Sequence, residues 1–71
     1  MTKINAKLDN EKKITDAIAK WYKKHPYGPS YRDLSEMTEM SLGTVFSVCQ
    51  ELRETKVIWF QDGVARTIKL L

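Results

Sequence analysis

The stretch SLGTVFSVCQELRE, residues 41 to 54, has the composition of a helix that is apolar on one side and small and polar on the other. With Val45, Cys49 and Leu52 turned inward, steps of about 100° per residue place Gly43, Thr44, Ser47, Gln50 and Glu51 outward, with Phe46 and Val48 on the flanks. These groups suit the edges of nucleobases. Glutamine pairs with adenine through two hydrogen bonds, serine and threonine donate or accept at several edges, and glutamate accepts from cytosine. An apolar flank such as Phe46 or Val48 meets a thymine methyl, and Gly43 lets the backbone come close. Base-reading is therefore expected of Gly43, Thr44, Phe46, Ser47, Val48 and Gln50. From Ser41 to Leu52 there is no Lys or Arg, and Glu51 and Glu54 repel phosphates near the helix's C-terminal half.

Most contacts to a duplex go to phosphate, and they can be supplied from outside the reading helix. The candidates are Lys23 and Lys24 at the end of a first helix, Ser30, Tyr31 and Arg32 at the start of a second, Ser41 at the cap of the third, and Arg66 and Lys69 beyond it. Arg32 is the strongest of these; its competing role is an ion pair with Glu36 four residues on.

The elements that must position these residues follow from pattern. Residues 1 to 8 are polar and unpatterned and read as a flexible N-terminal arm. Asp9 or Asn10 caps a helix with Ile14, Ala17, Ile18, Trp21 and Tyr22 on its buried face, and Pro26 stops it. The turn-rich HPYGPS leads to Ser30, the expected cap of a two-turn helix burying Tyr31, Leu34 and Met37. A brief break at TEMS precedes the third helix, and two short helices so joined read as helix-turn-helix. From Val57 the chain turns β-branched and aromatic, and Asp62-Gly63 between VIWFQ and VARTIKLL signals a hairpin over roughly residues 57 to 70. A tight two-residue turn there sets Gln61 opposite Val64, Phe60 opposite Ala65 and Trp59 opposite Arg66. The hairpin packs on the helices through some of Val57, Ile58, Ile68 and Leu70. The expected fold is mainly α with a small β-hairpin: a winged helix-turn-helix of three helices and a two-stranded wing, filling residues 9 to 71.

The segment YGPSYRDLSEMTEMSLGTVFSVCQELRETKVI, residues 27 to 58, resembles the N-terminal DNA-binding domain of LexA-type repressors. The likeness rests on Pro29 and Ser30 before a helix with Arg32 and Leu34, on Ser41 before Thr44 and Val45, on Leu52, and on Val57-Ile58 opening the wing. Extended by the first helix and the hairpin, it covers nearly the whole chain from Asp9. The resemblance implies that the third helix enters the major groove, that the second helix and its preceding turn touch phosphates, and that the wing reaches adjacent backbone. Two departures stand out. The family's self-cleaving dimerisation domain has no counterpart in these residues, so no Ser-Lys chemistry carries over. Where the family commonly carries His or Arg between positions 46 and 48, this chain has Phe46, Ser47 and Val48.

Composition bounds the remaining classes. Seventy-one residues with 42% apolar content make one small domain. Twelve basic against nine acidic residues give a net charge of +3, which suits a polyanionic partner. The lysines crowd the stretch from Lys3 to Lys24, and Asp33, Glu36, Glu39, Glu51 and Glu54 gather later. Cys49 has no partner for a disulfide and, at helical spacing among apolar neighbours, reads as a packed, inert thiol. His25 lacks a second ligand at metal spacing, so neither a metal nor another cofactor is expected. With no apolar leader and no membrane span, the expected location is the cytoplasm. No nucleophile and base pair or phosphate loop points to an enzyme.

Two functions compete. The first is a small sequence-specific double-stranded DNA-binding transcription regulator of bacterial or phage type, with residues 41 to 54 as recognition helix; tight binding then calls for a homodimer on two half-sites or cooperative neighbours. The second is a protein-interaction module on the same scaffold that modulates a repressor or RNA polymerase through Phe46. Trp21, Tyr22 and Tyr31 read as core aromatics rather than stacking platforms. Trp59 can fall on either face of the wing, and Phe46 can cap the core edge, touch thymine or seat a protein partner.

Overall fold

The computed structural model describes the backbone from Thr2 to Leu71 and the side chains from Asp9 onward. Three helices, α1 (Thr2–Lys24), α2 (Tyr31–Thr38) and α3 (Leu42–Glu54), precede an antiparallel pair, β1 (Ile58–Trp59) and β2 (Lys69–Leu70). This is the winged-helix order, mainly helical with a two-stranded wing. None of the described helices is long and apolar enough to cross a membrane.

Helix α1 begins well before the cap expected at Asp9 or Asn10, so the backbone of residues 2 to 8, expected as an arm, is helical. No Gly or Pro interrupts that stretch, and Lys, Ala and Leu favour helix over coil. The expected arm's side chains lie outside the described residues. At its other end α1 closes with the His25 N–H donating to the Trp21 carbonyl, just before Pro26.

The other two helices start at the expected serines. The Ser30 hydroxyl accepts from the Asp33 N–H while the Asp33 carboxylate accepts from the Ser30 N–H, both at 3.0 Å, a reciprocal capping box. Ser41 Oγ accepts from the Thr44 N–H at 3.2 Å and donates to the Thr44 hydroxyl at 2.9 Å. Between them Glu39 takes a left-handed conformation, φ 61°, that ends α2.

Ile14, Ala17 and Ile18 of α1, Leu34 of α2, Val45, Val48, Cys49 and Leu52 of α3, and Ile58, Phe60 and Ile68 of the wing form one buried cluster. Burial of each large aliphatic side chain contributes roughly 1.5–3 kcal/mol. Four core expectations are corrected, the first being Trp21, which stays partly exposed outside the buried cluster. Met37 is 41% exposed because α2 is so short that Leu34 alone fills its inner face. Tyr22 lies at the surface with its hydroxyl donating to the Ile68 carbonyl at 2.6 Å. Tyr31 is only partly buried, at the edge of the core.

The wing's register also differs from expectation. The Asp62-Gly63 turn is present, with the Val64 N–H donating to the Gln61 carbonyl at 3.2 Å, but only Gly63 has positive φ (75°). A type I′ turn needs both central residues there. The pairs are Ile58 with Leu70 and Trp59 with Lys69, so Phe60 does not face Ala65, nor Trp59 face Arg66. Thr67 closes the longer loop: its hydroxyl accepts from the Gln61 N–H at 2.9 Å and donates to the Val64 carbonyl at 3.1 Å. Arg66, in left-handed conformation at φ 62°, turns its carbonyl toward the Gly28 N–H, which donates at 3.2 Å. A tertiary partner has thus replaced the cross-strand one.

Gly28 is where helices and wing meet most closely. A Cβ there would lie 2.5 Å from the Ile68 carbonyl oxygen and 2.9 Å from that of Arg66. Gly28→Ala is expected to destabilise the fold by about 1–3 kcal/mol, since backbone must move. Gly43→Ala, helical and with nothing within 4 Å of the added carbon, is expected to be neutral or stabilising by up to about 1 kcal/mol. Thermal unfolding followed by circular dichroism checks both, at about 4–8 °C per kcal/mol for a domain of this size.

Candidate functional site

The outer face of α3 rests on two local devices: the Ser41 cap that starts the helix, and the inward row Val45, Val48, Cys49 and Leu52 that sets its rotation. Gly43, Phe46 and Ser47 are exposed, and Thr44 is partly so. Thr44 Oγ1 accepts from Ser41, which leaves its own proton free to donate outward. Val48 is the exception. At 9% exposure it belongs to the core and cannot touch a base, because the core covers a wider sector of α3 than Val45, Cys49 and Leu52 alone define.

Gln50 is half-buried, and its Oε1 accepts from Arg53 Nη2 at 3.1 Å. One lone pair and both amide hydrogens remain. Arg53 also donates through Nη1 to Asp62 Oδ1 at 2.9 Å and to the Phe60 carbonyl at 3.2 Å, while its guanidinium carbon lies 4.2 Å from the centre of the Phe60 ring. It fastens α3 to the wing. The sequence pattern did not single out Arg53, and its position three residues after Gln50 was the one legible clue.

Three aromatic rings join α3, α2 and the wing. Phe46 meets Tyr31 edge-on with centroids 5.4 Å apart, and Tyr31 meets Phe60 edge-on at 5.8 Å. Phe46 is thereby held in place although it is 48% exposed. Burial, followed by the nearby Cys49 thiol and Asp62 carboxylate, raises the Tyr31 phenol above its ordinary range despite the opposing Arg53 cation. Tyr31 is therefore a neutral hydroxyl at physiological pH. A groove of about 380 Å³ opens beside these rings, bounded by Pro29, Val64 and Ala65 among others. Cys49 is buried, which pushes its thiol up to about 12 and keeps it protonated.

The expected phosphate contacts divide into available and occupied groups. Arg32 is exposed and makes no ion pair with any described side chain, Glu36 included; Lys23 and Lys24 are exposed in the last turn of α1. Ser30 and Ser41 act as caps. Lys69 Nζ lies 5.4 Å from the centre of the exposed Trp59 ring. Arg66 is occupied: its Nη1 donates to Asp33 Oδ2 at 3.1 Å and to the Gly28 carbonyl at 3.5 Å, and its guanidinium lies 5.0 Å from the Tyr27 ring and 5.7 Å from the Trp21 ring. Trp21 is itself fixed by donating Nε1–H to the Tyr27 carbonyl at 2.7 Å. Leu42, 47% exposed at the first position of α3, is an outward residue that the helical pattern did not mark.

The Asp33 carboxyl is held below its ordinary value of 3.8 chiefly by the Ser30 N–H, with the Ser30 hydroxyl and the Arg66 guanidinium adding to it, against the opposing effect of burial. Because the folded-state value is depressed, the stabilisation is present above the unfolded value and is lost as pH falls through the folded one. Thermal midpoints measured from about pH 6 to pH 2 are expected to fall less steeply at the acid end for Asp33→Asn than for wild type. Comparison with known proteins found no matching family model, no matching curated protein and no matching solved structure.

Proposed function

We propose that this chain is a small sequence-specific double-stranded DNA-binding regulator of transcription, with α3 as its reading helix. The observation that carries the proposal is the pairing of an uncharged outer face on the N-terminal half of α3 with the exposed Arg32, in no ion pair with a described side chain, in the first turn of the preceding helix. In helix-turn-helix proteins the N-terminal residues of the second helix of the motif meet base edges, while the first helix crosses the backbone. Gly43, Thr44 and Ser47 offer that chemistry here, with Gln50 further along. Arg32, Lys23, Lys24 and Lys69 supply cations for phosphate, and Arg66 serves mainly to hold the wing against α2. The resemblance to LexA-type DNA-binding domains supports the same arrangement.

The competing reading, a protein-interaction module, is favoured by one specific observation: the groove beside Phe46, Tyr31 and Phe60 is lined mainly by apolar groups. Salt separates the two readings. Binding to phosphate releases counterions and weakens steeply as salt rises, whereas an interface centred on Phe46 responds little.

Enrichment of random double-stranded DNA by the purified protein at near-physiological salt is expected to recover a motif. Arg32→Ala should weaken binding to all sequences and lower the salt slope by about one. Thr44→Ala should instead change preference at one position, by about 1–3 kcal/mol between bases. Absence of any motif, with weak binding that the Arg32 change does not alter, would overturn the DNA reading in favour of the protein partner.

A further inference from the structure

Leu42 and Phe46 lie four residues apart on α3 and retain 47% and 48% of their surface exposed. Residues at this spacing sit one above the other on a helix, about 6 Å apart along its axis. They form a short apolar stripe over the N-terminal half of the reading helix. Tyr31 backs the Phe46 ring edge-on, so the ring is both presented and fixed. Beside Leu42, the open space around the Gly43 Cα position leaves the backbone unobstructed.

The major-groove edges of the four base pairs carry hydrogen-bonding groups and one apolar group, the C5 methyl of thymine. Laid against guanine or cytosine, Leu42 and Phe46 would strip water from polar atoms without replacing the lost hydrogen bonds. Against thymine methyls they bury apolar surface on apolar surface. Charge permits a duplex as the occupant: no anion interrupts α3 between Leu42 and Gln50 to repel phosphate, and Arg32, exposed and in no ion pair with a described side chain, stands in the first turn of the preceding helix, the element that crosses the backbone in helix-turn-helix proteins.

We infer that this face reads thymine by its methyl group, through Leu42 and Phe46 together. The inference rests on the double-stranded DNA reading of the same helix and adds what the helix selects. The two residues' separation matches one or two base-pair steps of about 3.4 Å, so two thymines, on one strand or across the duplex, form the recognised element. Ser47 and Thr44 then supply the polar contacts at neighbouring edges.

The test uses a random double-stranded library prepared once with thymine and once with uracil, which differs only by the missing methyl. The motif recovered from the thymine library is then resynthesised with uracil at each thymine in turn. Removing a contacted methyl is expected to weaken binding roughly 3- to 5-fold, the factor that burial of one such group supplies. Phe46→Ala and the surface variant Leu42→Asn, each first shown to melt cooperatively, should bind the thymine and uracil forms of their respective positions equally. A recovered motif bound equally well with uracil overturns methyl reading while leaving the DNA regulator standing. Enrichment from neither library overturns the DNA reading itself, and the inference with it.

Discussion

The approach of Gly28 to the carbonyls of Arg66 and Ile68 is the contact on which the rest of the wing depends. A ladder of two residue pairs does not persist in water on its own. What holds residues 60 to 70 is docking: Ile58, Phe60 and Ile68 enter the common core, the Gly28 N–H takes the Arg66 carbonyl, and the Tyr22 hydroxyl takes that of Ile68. Any side chain at position 28 would separate these surfaces. The Arg66 guanidinium then crosses the same junction to Asp33, so the capping box of α2 and the wing become one unit. Ser30, Tyr31 and Arg32 are thereby set in a fixed relation to the wing.

A second fastening acts from the other side. Arg53 leaves α3 to bind Asp62 and the Phe60 carbonyl while lying over the Phe60 ring, and Phe60 in turn supports Tyr31, which supports Phe46. The outermost of these rings is thus backed by packing that reaches the core. A rigid, half-exposed aromatic side chain loses little conformational entropy on binding, which suits it to discriminate shape. The uncharged surface of α3 presents hydroxyls and apolar groups, the chemistry on which the proposed reading of bases rests.

The distribution of cations follows from the same architecture. Two of the arginines serve the fold, Arg53 at the α3–wing junction, where it meets Asp62, and Arg66 at the α2–wing junction, where it meets Asp33. Arg32, Lys23 and Lys24 keep their charge exposed. Such charges contribute little to folding stability. Under the proposed function they attract a polyanion over long range, an attraction that added salt weakens.

Ser30 and Ser41 as caps, Pro26 after the first helix, the inward row of α3 and the Asp-Gly turn were all legible in the sequence, because each is a local matter of hydrogen bonding or period within a few residues. The helix order and the wing followed from them. The start of α1 was missed because the polar residues before Asp9 carry no apolar pattern, although nothing in them opposes a helix. Val48, Met37 and Tyr22 were misplaced because burial depends on how wide a sector the neighbouring elements cover. The wing's register slipped because Gly28 and Tyr22, far away along the chain, took carbonyls that a simple hairpin would have paired across its strands. The ion pair of Arg66 with Asp33, 33 residues away in sequence, carries no local signal. Local chemistry determined which elements form and where they begin; the faces they cover, the partners of the arginines and the exposure of Leu42 beside Phe46 were decided only when distant segments packed together.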